Sequence, residues 1–555
     1  MTTATGPKVE PQPVTLSPAP APVPAPAGPA PADPSAAKPA RRDAPPPRQA
    51  PPGRAPASSR WLAAAAAAGI LSSTGAMLVA SLNPGSYMPP RLVMPAFGPP
   101  WDVPSVRLPV ATVTIVLWLA TLAGTGGIAA GLAAVRRGAR ISPRPVIAAG
   151  LVAVAILVVL PPAGSTDVLD YAAFGHIVTL GHTPYVWTPS HIRAGGGTFG
   201  SEVPLEWDSH PTMYGPLATF EQFLAAVLGG SSVARIVFWL KLWNAIAFAA
   251  IALVADRALR SDPAARLRAH LLWTVNPLLL WGLIAAGHVD MIAAGIGVIG
   301  LLTLRTAPAG GQLTVARAMT AGLLLGVAAD IKIPYVMFAA GAAWALRRSR
   351  RALLATAGAA LAVLVPTYAW YGPPAVEAVL TRTTKVTADN LYQLFSGSTG
   401  FVVAHLLQIS VGAVAVLAAL TLRRLPDAAS RPVLRPALAL SSAWLFVWPY
   451  QLPWYDALVV CLLILYPASR FDWLVLARLA AGTMALMPGA PAMPPGSAVA
   501  GIAKGIVTFW TPAVLLGCAV ALAYLCVTGR WRVREATVRA ADPAARTSSP
   551  SPAST

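Results

Sequence analysis

Residues 146–162 read "VIAAGLVAVAILVVLPP", and residues 163–185 continue "AGSTDVLDYAAFGHIVTLGHTPY". The first stretch is uninterrupted apolar sequence, just long enough for a bilayer whose hydrocarbon needs roughly twenty helical residues. The second places two carboxylates, Asp167 and Asp170, a few residues after it, in the company of two histidines and two tyrosines. Ionisable groups at membrane depth cost about 2.5–3.5 kcal/mol each on insertion scales, so such a cluster marks a site or a pathway.

The rest of the chain fits this reading. Of 555 residues, 55% are hydrophobic and only 11% charged, and mean hydropathy is +0.60. Those values belong to a polytopic membrane protein. The net charge of +20 comes from arginines in short loops between apolar runs, such as "RRGARISPR" (136–144), "RRSRR" (347–351) and "GRWRVR" (529–534). The positive-inside rule accounts for that pattern, and no nucleic acid is expected as a partner. Cys461, Cys518 and Cys526 all fall in apolar runs without disulfide or metal spacing, so they read as packing residues.

Residues 1–59 are a Pro/Ala-rich tail without periodicity, expected to be disordered and cytoplasmic. Residues 60–530 form the transmembrane domain, with 163–231 as its first large outer loop, and 531–555 read as a second cytoplasmic tail. Assigning basic loops to the cytoplasm predicts an all-α, polytopic transmembrane helical bundle. It has about 12–14 spans, both termini inside and juxtamembrane helices in the outer loop. The run 214–230, interrupted by Glu221 and Gln222, reads as an interfacial helix. The segment "AMTAGLLLGVAADIKIPYVMFAAGAAWAL" (318–346) has arginines on both sides. It reads as a shallow hairpin whose arms reach only about 20 Å and whose turn, "ADIKIP", needs a protein or water-filled surrounding.

Five polar clusters then share the outer side: Asp167 with Asp170, "HPTMYGP" (210–216), "GHVD" (287–290), "DIKIP" (330–334) and "WPYQLPWYD" (448–456). On a helix, Asp167, Asp170, Tyr171 and Phe174 share a face, with i,i+3 Cβ atoms about 5–6 Å apart. A carboxylate so placed serves as a general base or merely caps the helix. Lys332 suits a phosphate or a pairing with Asp330. His288 and Asp290 suit a substrate or a structural hydrogen bond, as do His210 and Tyr214. Trp454, Tyr455 and Asp456 suit a sugar ring or an interfacial belt, and Trp448 and Tyr450 suit the belt. No His/Asp set has convincing metal spacing, so no metal is assigned.

As an ordered set, "STDVLDYAAFGHIVTLGHTPY", "YGPL", "NPLLLWGLIAAGHVD", "DIKIP" and "LPWYD" resemble the actinobacterial polyprenol-phosphomannose-dependent α-1,6-mannosyltransferases of the GT-C superfamily. The likeness runs from Ser165 to Asp456. It implies a multi-pass plasma-membrane bundle of GT-C type, with polyprenyl-phosphate-mannose as donor and a mannan or glycolipid acceptor. It also implies an inverting transfer on the extracytoplasmic face, among membrane lipids. On this resemblance Asp167 is the base, with Asp170 beside it where the family pattern has a small polar residue. Lys332, Arg382 and Lys385 are expected at the donor phosphate, with His182 and Arg193 as further cations. Tyr171, His182, His210, Tyr214, His288, Asp290 and Tyr455 are expected at the substrates. The rival classes are a transporter or flippase of a lipid-linked saccharide, which would place its carboxylates at mid-membrane, and a scaffold acting through the polyproline tail.

Overall fold

The computed structural model describes residues 57–82, 92, 93, 95, 97–101, 108–196, 199, 207–304, 313–382, 385–395, 405–426, 432–450, 452–486 and 496–531. The Pro/Ala-rich stretch 1–56 and residues 532–555 lie outside them. Among the described residues there is no strand.

The chain enters through α1 (Ala57–Ser81) and α2 (Val110–Arg136), which pack along each other, followed by α3 (Pro143–Val159). Next come α4 (Asp167–Thr179), α5 (Pro189–Ala194) and α6 (Pro216–Gly229), which fill the expected outer loop with short helices. The bundle continues with α7 (Val233–Ala258), α8 (Pro263–Leu272), α9 (Pro277–Leu279) with a π turn at Leu280–Ala285, and α10 (Asp290–Thr303). The hairpin is α11 (Val315–Ile331) and α12 (Val336–Leu346), and α13 (Arg350–Tyr371) and α14 (Pro373–Arg382) follow. The last helices are α15 (Leu406–Arg424), α16 (Leu434–Val447), α17 (Ala457–Leu463), α18 (Phe471–Leu486), α19 (Ala498–Gly505) and α20 (Thr511–Thr528).

The expected apolar spans fall on helices, but among the described residues six helices, or seven spans with one bent pair, are long and apolar enough to cross a membrane. The others, α3, α6, α12, α16 and α17 among them, are shorter apolar pieces. In the bent pair, the stretch Pro263–Ala285 meets Asp290–Thr303 at 114°, so the intervening "AGHV" (286–289) is a corner and not an ordinary loop.

The 318–346 hairpin is present. Its turn is Lys332, extended at φ −149° and ψ 116°; Asp330, Lys332 and Pro334 are buried within the protein, while Ile333 is exposed. The helix α6 turns the polar groups of Glu221 and Gln222 inward. Its exposed side carries Phe220, Leu224, Val227 and Leu228, while Gln222 is buried and the Glu221 carboxylate is turned inward. Close packing explains this: a Cβ on Gly175 of α4 would lie 2.1 Å from the Gln222 carbonyl oxygen. Only glycine allows that crossing.

One end of the bundle is held by charge. The buried Arg268 of α8 donates twice to Asp472 of α18, at 2.6 and 2.8 Å, and also to the Tyr466 carbonyl. Arg136, ending α2, stands 3.8 Å from the same carboxylate. The opposite end gathers the polar clusters described next.

Candidate active site

The link from α3 into α4 is pinned before the acids appear. Lys241 of α7 donates to the Leu160 carbonyl at 2.7 Å, and the Ala163 amide donates to the Ala285 carbonyl at 2.9 Å. This fixes the entry of α4, whose first turn carries both Asp167 and Asp170. Unpaired amides and the helix dipole favour negative charge there. Thr166, not Asp167, is the residue at the cap. Asp167 accepts a hydrogen bond from the Ser165 hydroxyl at 3.1 Å on Oδ1.

Both acids line a cavity of about 200 Å³, together with Tyr171, Phe174, Trp207, His210, Met213, Tyr214, Tyr450 and Trp454. Beneath Asp167 lies a buried polar chain. The Tyr171 hydroxyl is 2.8 Å from the Tyr214 hydroxyl and 3.3 Å from His288 Nδ1. That nitrogen is 3.8 Å from Asp167 Oδ2, and the imidazole stacks on Trp454 with ring centres 3.6 Å apart. Burial, with smaller contributions from Tyr214 and Asp167, raises the Tyr171 phenol well above its ordinary value. Tyr171 therefore keeps its proton and serves as a fixed dipole.

Lys332 does not pair with Asp330. It donates to Asp290 Oδ2 at 2.5 Å, and its ammonium lies 4.6 Å from the Tyr455 ring centre and 5.6 Å from that of Tyr214. Tyr335 donates to the Asp290 carbonyl at 3.0 Å. Asp330 instead binds the start of α6, accepting from the Leu217 amide at 2.7 Å and from the Thr367 hydroxyl at 2.6 Å.

Lys332 and Tyr455 also line a second cavity of about 290 Å³, otherwise walled by apolar side chains such as Met337, Val411, Val414 and Trp444. The two cavities share Met213, Tyr214 and Tyr450. A polar chamber and an apolar one with a lysine at its wall thus meet at a common partition. Trp448 lines the second cavity and Tyr450 lines both.

Other expected residues are placed apart. Lys385 lines a third cavity of about 270 Å³, whereas Lys332 lines the second. The Arg382 side chain lies outside the described residues. His182 stacks on Trp187 at 3.5 Å between ring centres, and Arg193 pairs with Asp208 at 2.6 Å. Asp456 forms a buried ion pair with Arg478. Sequence reasoning missed Trp207 and Met213 as wall residues. Met213 lies inside the "HPTMYGP" cluster and Trp207 three residues before it, but no spacing rule marks either as a wall residue. Among the described residues, no group of three or more His, Cys, Asp or Glu side chains converges as metal ligands do.

The family model described as "Alpha-(1->6)-mannopyranosyltransferase, N-terminal domain" matches residues 66–348. A Mycolicibacterium smegmatis protein named "Probable alpha-(1->6)-mannopyranosyltransferase" is 30% identical over 144 residues, which cover 26% of this chain and 26% of that protein. An alpha-(1->6)-mannopyranosyltransferase of Mycobacterium tuberculosis is 29% identical over 145 residues, covering 26% of this chain and 24% of the relative. The matches thus span about a quarter of the length of these curated relatives. The crystal structure of ArnT from Cupriavidus metallidurans bound to undecaprenyl phosphate aligns at 17% identity with a TM-score of 0.35, covering 69% of this chain and 77% of that one.

Proposed function

The chain belongs to the alpha-(1->6)-mannopyranosyltransferase family, and from that premise we propose that it is an inverting GT-C-type glycosyltransferase of the plasma membrane. It moves mannose from polyprenyl-phosphate-mannose to a mannan or lipoglycan acceptor, forming α-1,6 links on the extracytoplasmic face. The observation that carries this reading is the meeting of the Asp167 chamber with the lysine-walled apolar cavity across Met213, Tyr214 and Tyr450. A sugar on a lipid phosphate is an amphiphile, and it needs such a pair of surroundings.

In this reading the prenyl chain lies along Val411, Val414 and Trp444, and the phosphate approaches Lys332. The sugar crosses the partition into the polar chamber. Asp167 takes the proton of the acceptor hydroxyl as that oxygen attacks the anomeric carbon, and the lipid phosphate leaves from the opposite side. A phosphate needs little protonation to depart, so one base on the acceptor side suffices. Tyr171 and His288 hold the chamber's polar floor without changing charge. The arginines at 136–144 and 347–351 support an orientation with that end and both termini in the cytoplasm.

The test uses the purified full chain with polyprenyl-phosphate-[¹⁴C]mannose and an α-1,6-oligomannoside. Asp167→Asn should lower transfer by about 10²–10⁴-fold, the range for a positioned base, with donor KM little changed. Unimpaired turnover in this variant rejects Asp167 as base. Absence of transfer by the wild type, with coupled saccharide uptake into vesicles, would instead support a carrier.

A further inference from the structure

We infer that the third cavity, walled by Glu377, Thr381 and Lys385, is the subsite that holds the acceptor's preceding sugar unit. The inference rests on the proposed transferase reading, and it assigns Lys385 to the acceptor where the sequence placed it at the donor phosphate.

Three observations support it. First, this cavity shares His210, Pro211 and Met213 with the Asp167 chamber, so one ligand can pass from one to the other along His210. Taken singly, the chambers of about 200 and 270 Å³ fall below the 300–1,000 Å³ usual for ligand sites, whereas joined they enter that range.

Second, the cavity opens to solvent along α14: the exposed polar residues Glu377 and Thr381, one helical turn apart, line it, while Ala375 and Val379 are buried against the protein. The cavity carries one acid and one base, Glu377 and Lys385. A phosphate entering it would meet the Glu377 carboxylate, whereas a neutral polyol can donate to Glu377 and accept from Lys385. That selects a saccharide over an anion.

Third, the shared wall has an unused polar atom. His210 Nδ1 is buried and has no hydrogen-bond partner among the described residues, a state that costs free energy unless a ligand satisfies it. The backbone around it is rigid: the Thr212 amide donates to the Pro184 carbonyl at 2.9 Å, and the Tyr185 hydroxyl donates to the Tyr214 carbonyl at 2.8 Å.

The experiment compares an alkyl mannoside with an α-1,6-trimannoside as acceptors for the purified full chain, using wild type, Glu377→Gln, Thr381→Val and Lys385→Met. The expected result is that each substitution raises KM for the trimannoside about tenfold more than KM for the alkyl mannoside, the size of one lost charge-assisted hydrogen bond. Equal changes for the two acceptors would overturn the inference. So would a rise in donor KM alone in Lys385→Met, which would return this lysine to the donor phosphate.

Calorimetric titration of the trimannoside supplies a readout independent of turnover. Wild-type binding that weakens about tenfold in Glu377→Gln supports the subsite, and wild type without measurable binding overturns it. Because wild type that binds the trimannoside but transfers no mannose would leave the subsite and remove the proposed reaction, the two failures are distinct.

Discussion

Asp167 and Lys332 are both ionisable, but the protein treats them differently. Asp167 opens into the chamber, its side chain 23% exposed, whereas Lys332 and Asp290 are 5% and 1% exposed and form a closed pair. Removing one member of a buried pair leaves an uncompensated charge, typically at a cost of about 3–5 kcal/mol. Lys332→Met should therefore lower the thermal midpoint in detergent and abolish transfer together. The double variant Lys332→Met/Asp290→Asn should recover most of the midpoint, because no lone charge remains buried, yet stay inactive for want of a phosphate partner. Transfer regained along with stability would show Lys332 to be structural. The motif "DIKIP" marked the lysine, but its counter-ion lies 42 residues earlier in the chain. An adjacent aspartate, Asp330, was the natural choice on sequence proximity, and the backbone turn at Lys332 points the two side chains to different elements.

Two contacts decide how the short elements hold the site. Gly215, just before α6, sits so close to the hairpin turn that an added Cβ would lie 1.6 Å from the Asp330 carbonyl oxygen. Gly215→Ala must push α6 from α11, and overpacking of this kind costs about 1–3 kcal/mol. We expect a lowered thermal midpoint with a disproportionate loss of turnover, since Tyr214 lies on the partition between the cavities. An unchanged midpoint and rate would show the approach to be slack. In α4, His176 stacks on Phe199 with ring centres 4.0 Å apart, and burial lowers its pKa from the ordinary 6.5. A histidine held neutral by folding binds protons more readily when unfolded. Its stabilising contribution is therefore full above pH 6.5 and is lost as the pH falls through the window below. His176→Phe should lose less thermal stability than wild type between pH 7.5 and 5.5. Parallel losses would mean that other groups carry the acid sensitivity.

For the whole molecule, the proposed reaction requires that Asp167 and the 347–351 arginines face opposite sides of the membrane. The α12 helix sets that separation: its eleven residues carry the chain about 16 Å from the Lys332 turn toward Arg347. Leu180 is 50% exposed just beyond α4, Arg348 is exposed at the other end, and the three native cysteines are buried. In intact cells, a membrane-impermeant maleimide should label Leu180→Cys and spare Arg348→Cys, with Arg348→Cys reacting only after permeabilisation. The reverse pattern would put the acids in the cytoplasm, out of reach of an external acceptor.

The sequence by itself determined the membrane class, the helical composition, the hairpin with its break at Lys332, and the ordered motifs that contain Asp167, Tyr214, His288 and Tyr455. These follow from local properties: hydropathy over a span, arginines in the loops, and polar residues where none are tolerated without cause. Only the tertiary structure decided that Lys332 meets Asp290, that Asp330 holds α6, that Trp448 and Tyr450 face cavities, and that Lys385 and Lys332 line different cavities. Each of these depends on contacts between residues far apart in the chain. Hydrophobic periodicity tells a helix which side to bury, but it does not say which buried charge another helix will bring to it.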